Sequence, residues 1–208
     1  MKTLWDVKAG VYDRLRRLPF SRTIYEREIR NLASMVPQRQ VARHLDIGTG
    51  TGSSLFIFPQ PEKLLVISDI SRGMLHAAQR MRTLPAVQFD AGARLPFADD
   101  VFDLISAIGV TEYILDLAYF LRETRRITTP EADLIMTSSP PRFATRLRRL
   151  NGARPTARSD AQVKKTLQEA GWQIIASDTS FMQTQWLCRK APGHHENSMA
   201  HHKNRYAL

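Results

Sequence analysis

The sequence predicts an α/β fold, a three-layer α/β/α sandwich with a mostly parallel seven-stranded sheet between two layers of helices. From about residue 41 to residue 137, short apolar runs alternate with segments of helical periodicity, the pattern of parallel strands joined by crossover helices. The last two apolar runs follow each other closely enough for a terminal antiparallel hairpin. A length of 208 residues suits one well-buried domain.

Two amphipathic helices are predicted before the first strand. Apolar residues recur at helical spacing from Leu4 to Leu18, where Pro19 interrupts the pattern, and again from Tyr25 to Val36, where Pro37 ends it. We expect residues 1–37 to form a helical lid over the binding site.

Five strands are predicted in the alternating part of the chain, at residues 41–47, 64–68, 86–89, 102–108 and 133–137. A short helix is expected over residues 53–58. Ser71 is a plausible N-cap for the next helix, which has Met74, Leu75, Ala78 and Met81 on its buried stripe. Another helix follows the fourth strand and is marked by Ile114, Leu117, Ala118 and Leu121.

The alternation breaks at residues 140–158, which are rich in proline and arginine. Ser159 is predicted to begin a helix that Gly171 ends. Residues 172–177 and 181–188 then form the hairpin. Residues 191–208 are polar and aperiodic, which predicts a disordered tail. The ligand-binding domain is therefore expected to span residues 38–190, with residues 140–158 as an Arg-rich insert.

The composition is typical of a soluble globular protein but strongly basic, with a net charge of +10 and a pI of about 10.2. A field of this sign attracts anions, whether RNA, anionic lipid or an acidic substrate. No apolar run approaches the roughly 20 residues that a membrane span needs, and the N-terminus lacks a signal-peptide pattern. A single cysteine, Cys188, excludes an internal disulfide, so we expect a cytoplasmic protein.

A glycine-rich turn follows the first strand, with glycines at 48, 50 and 52. Glycines allow a tight turn and let a ligand approach the main chain, and a parallel sheet binds ligands at the carboxyl ends of its strands. Asp69, which ends the second strand, can accept both hydroxyls of a ribose. Together these features predict a nucleoside site.

The glycine spacing favours one nucleoside over another. Ser53 stands where the dinucleotide fingerprint has its third glycine. Asp46, two residues before Gly48, can receive an ammonium group. The pattern therefore favours S-adenosylmethionine (SAM), which carries an amino-acid end and no pyrophosphate, over NAD. An NAD-dependent oxidoreductase on the same Rossmann-like core stays an alternative.

Four segments in this order resemble the class I SAM-dependent methyltransferases, in particular the branch that includes quinone- and lipid-modifying enzymes. They are residues 44–52, 66–75, 87–91 and 95–103. Two positions depart from the family: Pro130-Glu131-Ala132 replaces a Pro-Gly-Gly turn, and Tyr113 stands where a histidine is common. The resemblance implies a Rossmann-like fold and SAM as cofactor.

The resemblance also implies which residues hold the cofactor's methionine end, ribose and adenine. They are Asp46, Gly48, Thr49, Gly50, Gly52, Asp69, Ile70, Met74, Asp90, Ala91 and Ile108. Tyr12, Glu112 and Tyr113 are candidates for lining the acceptor pocket. No catalytic base is assigned, and no metal ligand is expected.

The predicted reaction is in-line transfer of the methyl group of SAM to a small-molecule or lipid-like acceptor. The arginines of the insert, interleaved with Leu147 and Leu150, suit an anionic membrane surface. RNA is the rival partner, although the sequence has no motif for flipped bases. A SAM-binding protein without catalysis is a further alternative, and the oligomeric state stays open.

Overall fold

A computed structural model describes residues 5–6, 19–141, 155–180 and 182–192 of the chain. Its sheet has seven strands: β1 Arg43–Ile47, β2 Leu64–Asp69, β3 Ala86–Gln88, β4 Phe102–Ala107, β5 Thr128–Ser138, β6 Trp172–Thr179 and β7 Thr184–Lys190. The strand order is β3-β2-β1-β4-β5-β7-β6. The pairs from β3 to β5 are parallel, and β7 runs antiparallel to both β5 and β6. The predicted fold class and the terminal hairpin are confirmed.

In the described residues, four α-helices cover the sheet: α1 Pro19–Met35, α2 Arg72–Met81, α3 Leu117–Arg126 and α4 Asp160–Glu169. The predicted caps are confirmed. The Ser71 hydroxyl accepts from the Met74 N–H, and Ser159 forms a capping box with Gln162. Gly171 follows α4 with a φ of +81°, a conformation that favours glycine.

The helices lie on both faces of the sheet. On one face, α3 and α4 pack on β1, β4 and β5. On the other, α2 packs on β2 through Leu75 and Ala78, while α1 packs across β4, β5 and β7. Cys188 is buried on β7, where burial raises the pKa of its thiol to about 12 and keeps the thiol unreactive.

The second predicted helix starts earlier than its apolar pattern, at Pro19. Proline suits this place because the first helical position needs no N–H donor and favours the fixed φ of proline. Leu32 and Met35 of α1, and Val36 after it, belong to the buried core. The first predicted helix lies outside the described residues except for Trp5 and Asp6. The lid role of residues 1–37 stays a prediction.

The connection between β1 and β2 also differs from the prediction. The expected helix over residues 53–58 is only a 3₁₀ turn, Leu55–Ile57. Pro59 and Pro61 follow at once, and prolines prevent a helix from continuing. Phe56 is left 69% exposed. Met81, expected on the buried stripe of α2, is 73% exposed, because the helix ends there beyond the edge of the core.

The fifth strand starts five residues before the prediction, at Thr128. Glu131 lies within it at a φ of +62°, in the turn where the related family has glycine. A register shift between Phe102 and Leu104 on β4 faces this segment. The turn therefore keeps a positive φ and an irregular register, although glutamate stands where the family often has glycine.

The loop before β4 is fixed by the end of α3. Arg126 donates to the Leu95 and Phe97 carbonyls and pairs with Glu123, whose carboxylate also accepts from the Leu95 N–H. Arg126 therefore lowers the pKa of Glu123. In segment 95–103, which resembles the methyltransferase family, Leu95 and Phe97 are therefore held in place by the end of α3. No helix of the described part has the length and apolarity to cross a bilayer.

Candidate functional site

The sheet changes winding direction between β1 and β4, and ligands bind at such a switch point beyond the carboxyl ends of the strands. The loops that leave β1 and β4 touch there. Gly48 has a φ of +69°, and a Cβ on it would lie 2.7 Å from the Cβ of Val110 in the second loop. Glycine at 48 is therefore needed for the two loops to pack together.

Two glycines at this edge face open space. Gly50 follows β1 with a φ of +56°, and Gly109 follows β4 with a φ of +71°. In the described part of the chain, no atom beyond the flanking residues lies within 4 Å of where a Cβ would stand on either glycine. Gly52 differs, because its Cβ position meets Ala78 of α2 at 3.3 Å. The main chain at 50 and 109 is thus free of side-chain cover, as close contact with a ligand requires.

Asp69 joins the end of β2 to the glycine loop. Its Oδ2 accepts from the Gly50 N–H and its Oδ1 from the Ser71 N–H, both at 2.9 Å. Burial raises the pKa of this carboxyl, and the two N–H donors partly offset that rise. Each carboxylate oxygen accepts more than one hydrogen bond, so both can also receive hydroxyl groups.

Asp46 lies fully buried on β1, two residues before the loop. The hydroxyl of Ser106, its neighbour on β4, donates to its Oδ1. Among the described residues, neither Asp46 Oδ2 nor Thr49 Oγ1 has a hydrogen-bond partner of normal geometry, although the Thr49 hydroxyl lies close enough to the carboxyl to lower its pKa. Burial raises the pKa of Asp46 to about 6, the hydroxyls lower it in part, and the Asp69 carboxylate raises it.

The residues expected around the adenine lie in different elements and differ in burial. Asp90 is exposed, with Oδ1 accepting from the Gly92 N–H at 2.8 Å. Met74 is 2% exposed on α2. Ile70 is half-buried after β2. Ala91 and Ile108 pack against the two main core clusters, Ala91 on the α3 side and Ile108 on the α1 side.

Two N-terminal residues connect both sides of this edge. The Asp6 carboxylate accepts from the Ser71 hydroxyl and from the Gly73 N–H at the start of α2. The Trp5 ring packs edge-on against Tyr113, with ring centroids 5.1 Å apart, in the 3₁₀ turn Thr111–Tyr113 after β4. These contacts support a covering role for the N-terminal segment. Tyr12 lies outside the described residues.

The side beyond β4 holds a buried carboxyl. Glu112 is 2% exposed and accepts from the Ser139 hydroxyl at 3.4 Å. Its main-chain carbonyl accepts from the Thr156 N–H. Arg158 donates to the carbonyls of Thr111, Ile114 and Leu115. The returning end of the Arg-rich insert therefore lies against this turn. The sequence groups Arg158 with the other arginines of the insert, as a solvated face or an anion contact, and does not indicate this anchoring role.

Comparison with known proteins agrees with this geometry. The family described as "Methyltransferase domain" matches residues 45–136, which hold the glycine loop, Asp69 and both site loops. Residues 45–136 belong to the class I SAM-dependent methyltransferases.

Individual proteins similar to this domain are also named as methyltransferases. It is similar to the demethylmenaquinone methyltransferase of Mycolicibacterium paratuberculosis, at 39% identity over 49% of this chain and 45% of the relative. The corresponding protein of Corynebacterium urealyticum is 32% identical over 59% of this chain and 53% of the relative. The matches thus cover about half the length of these curated relatives.

A solved structure matches over more of the chain. A SAM-dependent methyltransferase of Thermotoga maritima, titled a possible histamine N-methyltransferase, superimposes with a TM-score of 0.71, covering 91% of this chain and all of that one. At 18% identity this likeness supports the fold alone.

The methyltransferase family uses SAM, and the residues present fit it. The open main chain at Gly50 and Gly109 accepts close approach of a ligand, and the orphaned Oδ2 of Asp46 is what an ammonium group would satisfy. Ser106, the buried partner of Asp46, and His44, which bonds Ser106 in turn, were missed. The sequence feature that could have indicated them is a polar residue within an otherwise apolar strand. Among the described residues, no cluster of His, Cys, Asp and Glu could hold a metal ion.

Proposed function

We propose that this protein transfers the methyl group of SAM to a small apolar acceptor with a quinone-type ring. One observation carries the cofactor part. At the switch point, the Asp69 carboxylate binds the N–H of Gly50, whose opposite side faces open space. A carboxylate for a ribose and uncovered main chain for the rest of a nucleoside thus lie side by side.

Each predicted cofactor residue receives a role in this proposal. Asp69 binds the ribose hydroxyls, and Asp46 with the loop of Gly48, Thr49, Gly50 and Gly52 holds the methionine end. Ile70, Met74, Asp90 and Ala91 surround the adenine, and Ile108 lies below the sulfonium. SAM supplies an activated methyl group. The protein's part is to align the acceptor with the methyl–sulfur axis, which contributes several kcal/mol in comparable reactions.

Calorimetric titration with SAM, S-adenosylhomocysteine and NADH tests the cofactor assignment. We expect both adenosyl compounds to bind with one site per chain and NADH not to bind. Binding of NADH without either adenosyl compound would replace the proposal with the oxidoreductase alternative. Binding of SAM without transfer to any acceptor would favour a non-catalytic SAM-binding protein.

The acceptor assignment rests on the side beyond β4. The edge-on rings of Trp5 and Tyr113 provide aromatic side chains for a ring-shaped acceptor, next in sequence to the buried Glu112. The curated relatives are named for demethylmenaquinone. A hydroquinone ring carbon is nucleophilic and loses a proton after methylation, so a buried carboxylate nearby would be a suitable proton acceptor. We assign Glu112 and Tyr113 to the acceptor pocket.

Transfer of a labelled methyl group from SAM to reduced demethylmenaquinone tests the acceptor. Glu112→Gln should lower kcat at least tenfold without weakening SAM binding. Glu123→Gln is the matched control, because Glu123 is also buried but binds Arg126 away from the site. Equal loss in both variants, or faster methylation of RNA than of the hydroquinone, would contradict the assignment.

The Arg-rich insert leaves and rejoins the fold beside this pocket. Arg158 donates its main-chain N–H to the Ser139 carbonyl at 3.2 Å, and Pro155 is buried. Residues 142–154 lie outside the described part. We propose that they contact an anionic membrane from which a lipid-like acceptor is taken.

Vesicle co-sedimentation tests the membrane contact. The protein should bind anionic vesicles at low salt and leave zwitterionic vesicles in solution. Replacing Arg148 and Arg149 with serine should weaken binding, whereas replacing the exposed Lys164 and Lys165 of α4 should not. If replacing either pair weakens vesicle binding equally, net charge alone would explain the binding and the insert would have no special role. If the protein binds RNA in preference to vesicles, RNA would be the favoured partner.

A further inference from the structure

Three polar side chains form a hydrogen-bonded chain inside the sheet. His44 and Asp46 point to the same face of β1, and Ser106 lies between them on β4. The Ser106 Oγ lies 2.8 Å from His44 Nε2 and also bonds Asp46 Oδ1. All three residues are at most 1% exposed. A buried polar chain of this kind is costly unless its donors and acceptors match.

The hydroxyl of Ser106 has one proton, so the chain has two consistent arrangements. With Asp46 ionised, Ser106 donates to it and accepts from a proton on His44 Nε2. With Asp46 protonated, Asp46 donates to Ser106, which donates to His44 Nε2. Burial lowers the pKa of His44 to about 3, so the imidazole is neutral in both. The chain can therefore hold Asp46 in either charge state. His44 Nδ1 has no partner among the described residues, so it is an unpaired acceptor in the first arrangement and an unpaired donor in the second.

The surroundings of Asp46 supply no positive charge. Among the described residues, no lysine or arginine bonds its carboxyl, and Asp69 on β2 adds a negative charge. The helix α2 presents Met74, Leu75 and Ala78 to the sheet. On the α1 side the nearest core residues are apolar, and Glu28 of α1 bonds Ser180 instead. Asp46 Oδ2 keeps no partner.

On the basis of the proposed function, we propose that Asp46 is protonated in the free protein and releases this proton to solvent when the cationic end of SAM binds. Ser106, supported by His44, is the positioning residue that sets the pH at which this exchange occurs. The charge balance is simple: one proton leaves the carboxyl for solvent, and the carboxylate that remains pairs with the ammonium of the cofactor.

Calorimetry in two buffers of different ionisation enthalpy measures the protons released per SAM bound. We expect release of a substantial fraction of one proton at pH 5.5–6, falling toward zero by pH 8, with affinity dropping up to tenfold per pH unit below the midpoint. In Asp46→Asn this release should be absent. The cofactor's own amino group is common to all variants, so the difference from wild type isolates Asp46.

The two serines beside Asp46 provide a matched pair. Ser106→Ala removes a donor to the carboxylate and should move the midpoint to higher pH. Ser68 is equally buried on β2, but its hydroxyl donates to the Asp46 main-chain carbonyl at 3.0 Å, so Ser68→Ala should leave the midpoint unchanged. Ser106→Thr keeps the hydroxyl and should restore the wild-type midpoint, which keeps the test decisive if the alanine variant folds poorly.

The outcomes separate this inference from the proposed function. SAM binding without proton release at pH 5.5–6 would overturn the inference and leave the function standing. Equal midpoint shifts in the two alanine variants would also overturn it, because a general packing effect would then be enough. Absence of SAM binding at every pH would overturn both.

Discussion

Asp69 and Asp103 each accept hydrogen bonds from two main-chain N–H groups, at opposite edges of the sheet. Asp69 accepts the N–H groups of Gly50 and Ser71 at the carboxyl edge. Asp103 accepts the N–H groups of Ala42 and Arg43 at the amino edge. What differs is the setting. Around Asp69, glycines leave the main chain uncovered. Around Asp103, charged side chains pair with each other, and the cavity of about 470 Å³ at that end is lined by side chains such as Arg39 and Val41, with no glycine among its lining residues.

The closed edge is built from charges that satisfy each other. Arg39 and Arg189 both pair with the buried Asp133, at 2.8 and 3.0 Å. Arg39 also donates to the Asp103 carbonyl, and the Thr129 hydroxyl bonds the Asp103 carboxylate. The comparison teaches that aspartates with two backbone donors serve the fold at either edge, and that open space beside them distinguishes a site.

The largest expected effect on stability is at Asp46, on the open side. Its pKa is raised to about 6, so its favourable contribution is complete below about pH 4 and is lost as pH rises through 6. Relative to Asp46→Asn, the wild type should lose on the order of 3 kcal/mol of unfolding free energy between pH 4 and pH 7. Urea unfolding across this range measures the difference. Parallel pH profiles for the two proteins would show that Asp46 is not protonated in the free fold.

The second effect concerns the closed edge. Asp133→Asn removes the partner of two arginines, and since both are more than a third exposed they can turn to solvent. We therefore expect a loss of about 2 kcal/mol in stability and no change in SAM affinity. Thermal melting and calorimetry check the two parts. A large loss of affinity would mean that the two edges are coupled.

A pair of glycine substitutions sharpens the comparison. Gly50 and Gly171 both have positive φ values, +56° and +81°. Alanine should cost roughly 1 kcal/mol of stability at Gly50, and more at Gly171, where the new Cβ would lie 2.5 Å from Arg125 Nε. Only Gly50→Ala should also weaken SAM binding, by tenfold or more, because the new methyl group enters the open space. If Gly171→Ala weakens SAM binding as much, that space is not the cofactor site.

The smallest effect is at the irregular turn of β5. Glu131 has a φ of +62° and is exposed. Glutamate to glycine at this position should leave stability unchanged or raise it by up to about 1 kcal/mol, because strain relief is offset by a more flexible unfolded chain. Chemical denaturation measures the change. A loss above 1 kcal/mol would show that the side chain stabilises the turn.

Much of the fold was predictable because the signals were local. Alternating apolar runs gave the strands, and Ser71, Ser159 and Gly171 marked helix ends through their own hydrogen bonding and conformation. The absence of an α-helix after Gly52 was not predicted, because the four consecutive apolar residues at 55–58 suggest a helix that Pro59 and Pro61 prevent. The early start of α1 at Pro19 was not predicted, because its apolar pattern begins only at Tyr25 and proline both ends and begins helices.

The site residues were predictable only where they belong to one continuous sequence motif. The glycine loop and Asp69 lie in short continuous motifs, and the structure brings them into contact. Ser106 and Arg158 act across the fold: one meets Asp46 through strand pairing, the other meets the turn after β4 from beyond the insert. No sequence pattern encodes contacts that depend on which strands become neighbours.

The central claim is that the carboxyl edge, and not the amino edge, binds the cofactor. Calorimetric titration of Asp69→Asn and Asp103→Asn with SAM tests it most directly, because each variant weakens a carboxylate with two backbone donors. We predict that Asp69→Asn loses about 100-fold in affinity, as expected when hydrogen bonds to a charged group are removed, while Asp103→Asn binds like the wild type at a lower melting temperature. Equal affinities in the two variants would contradict the account.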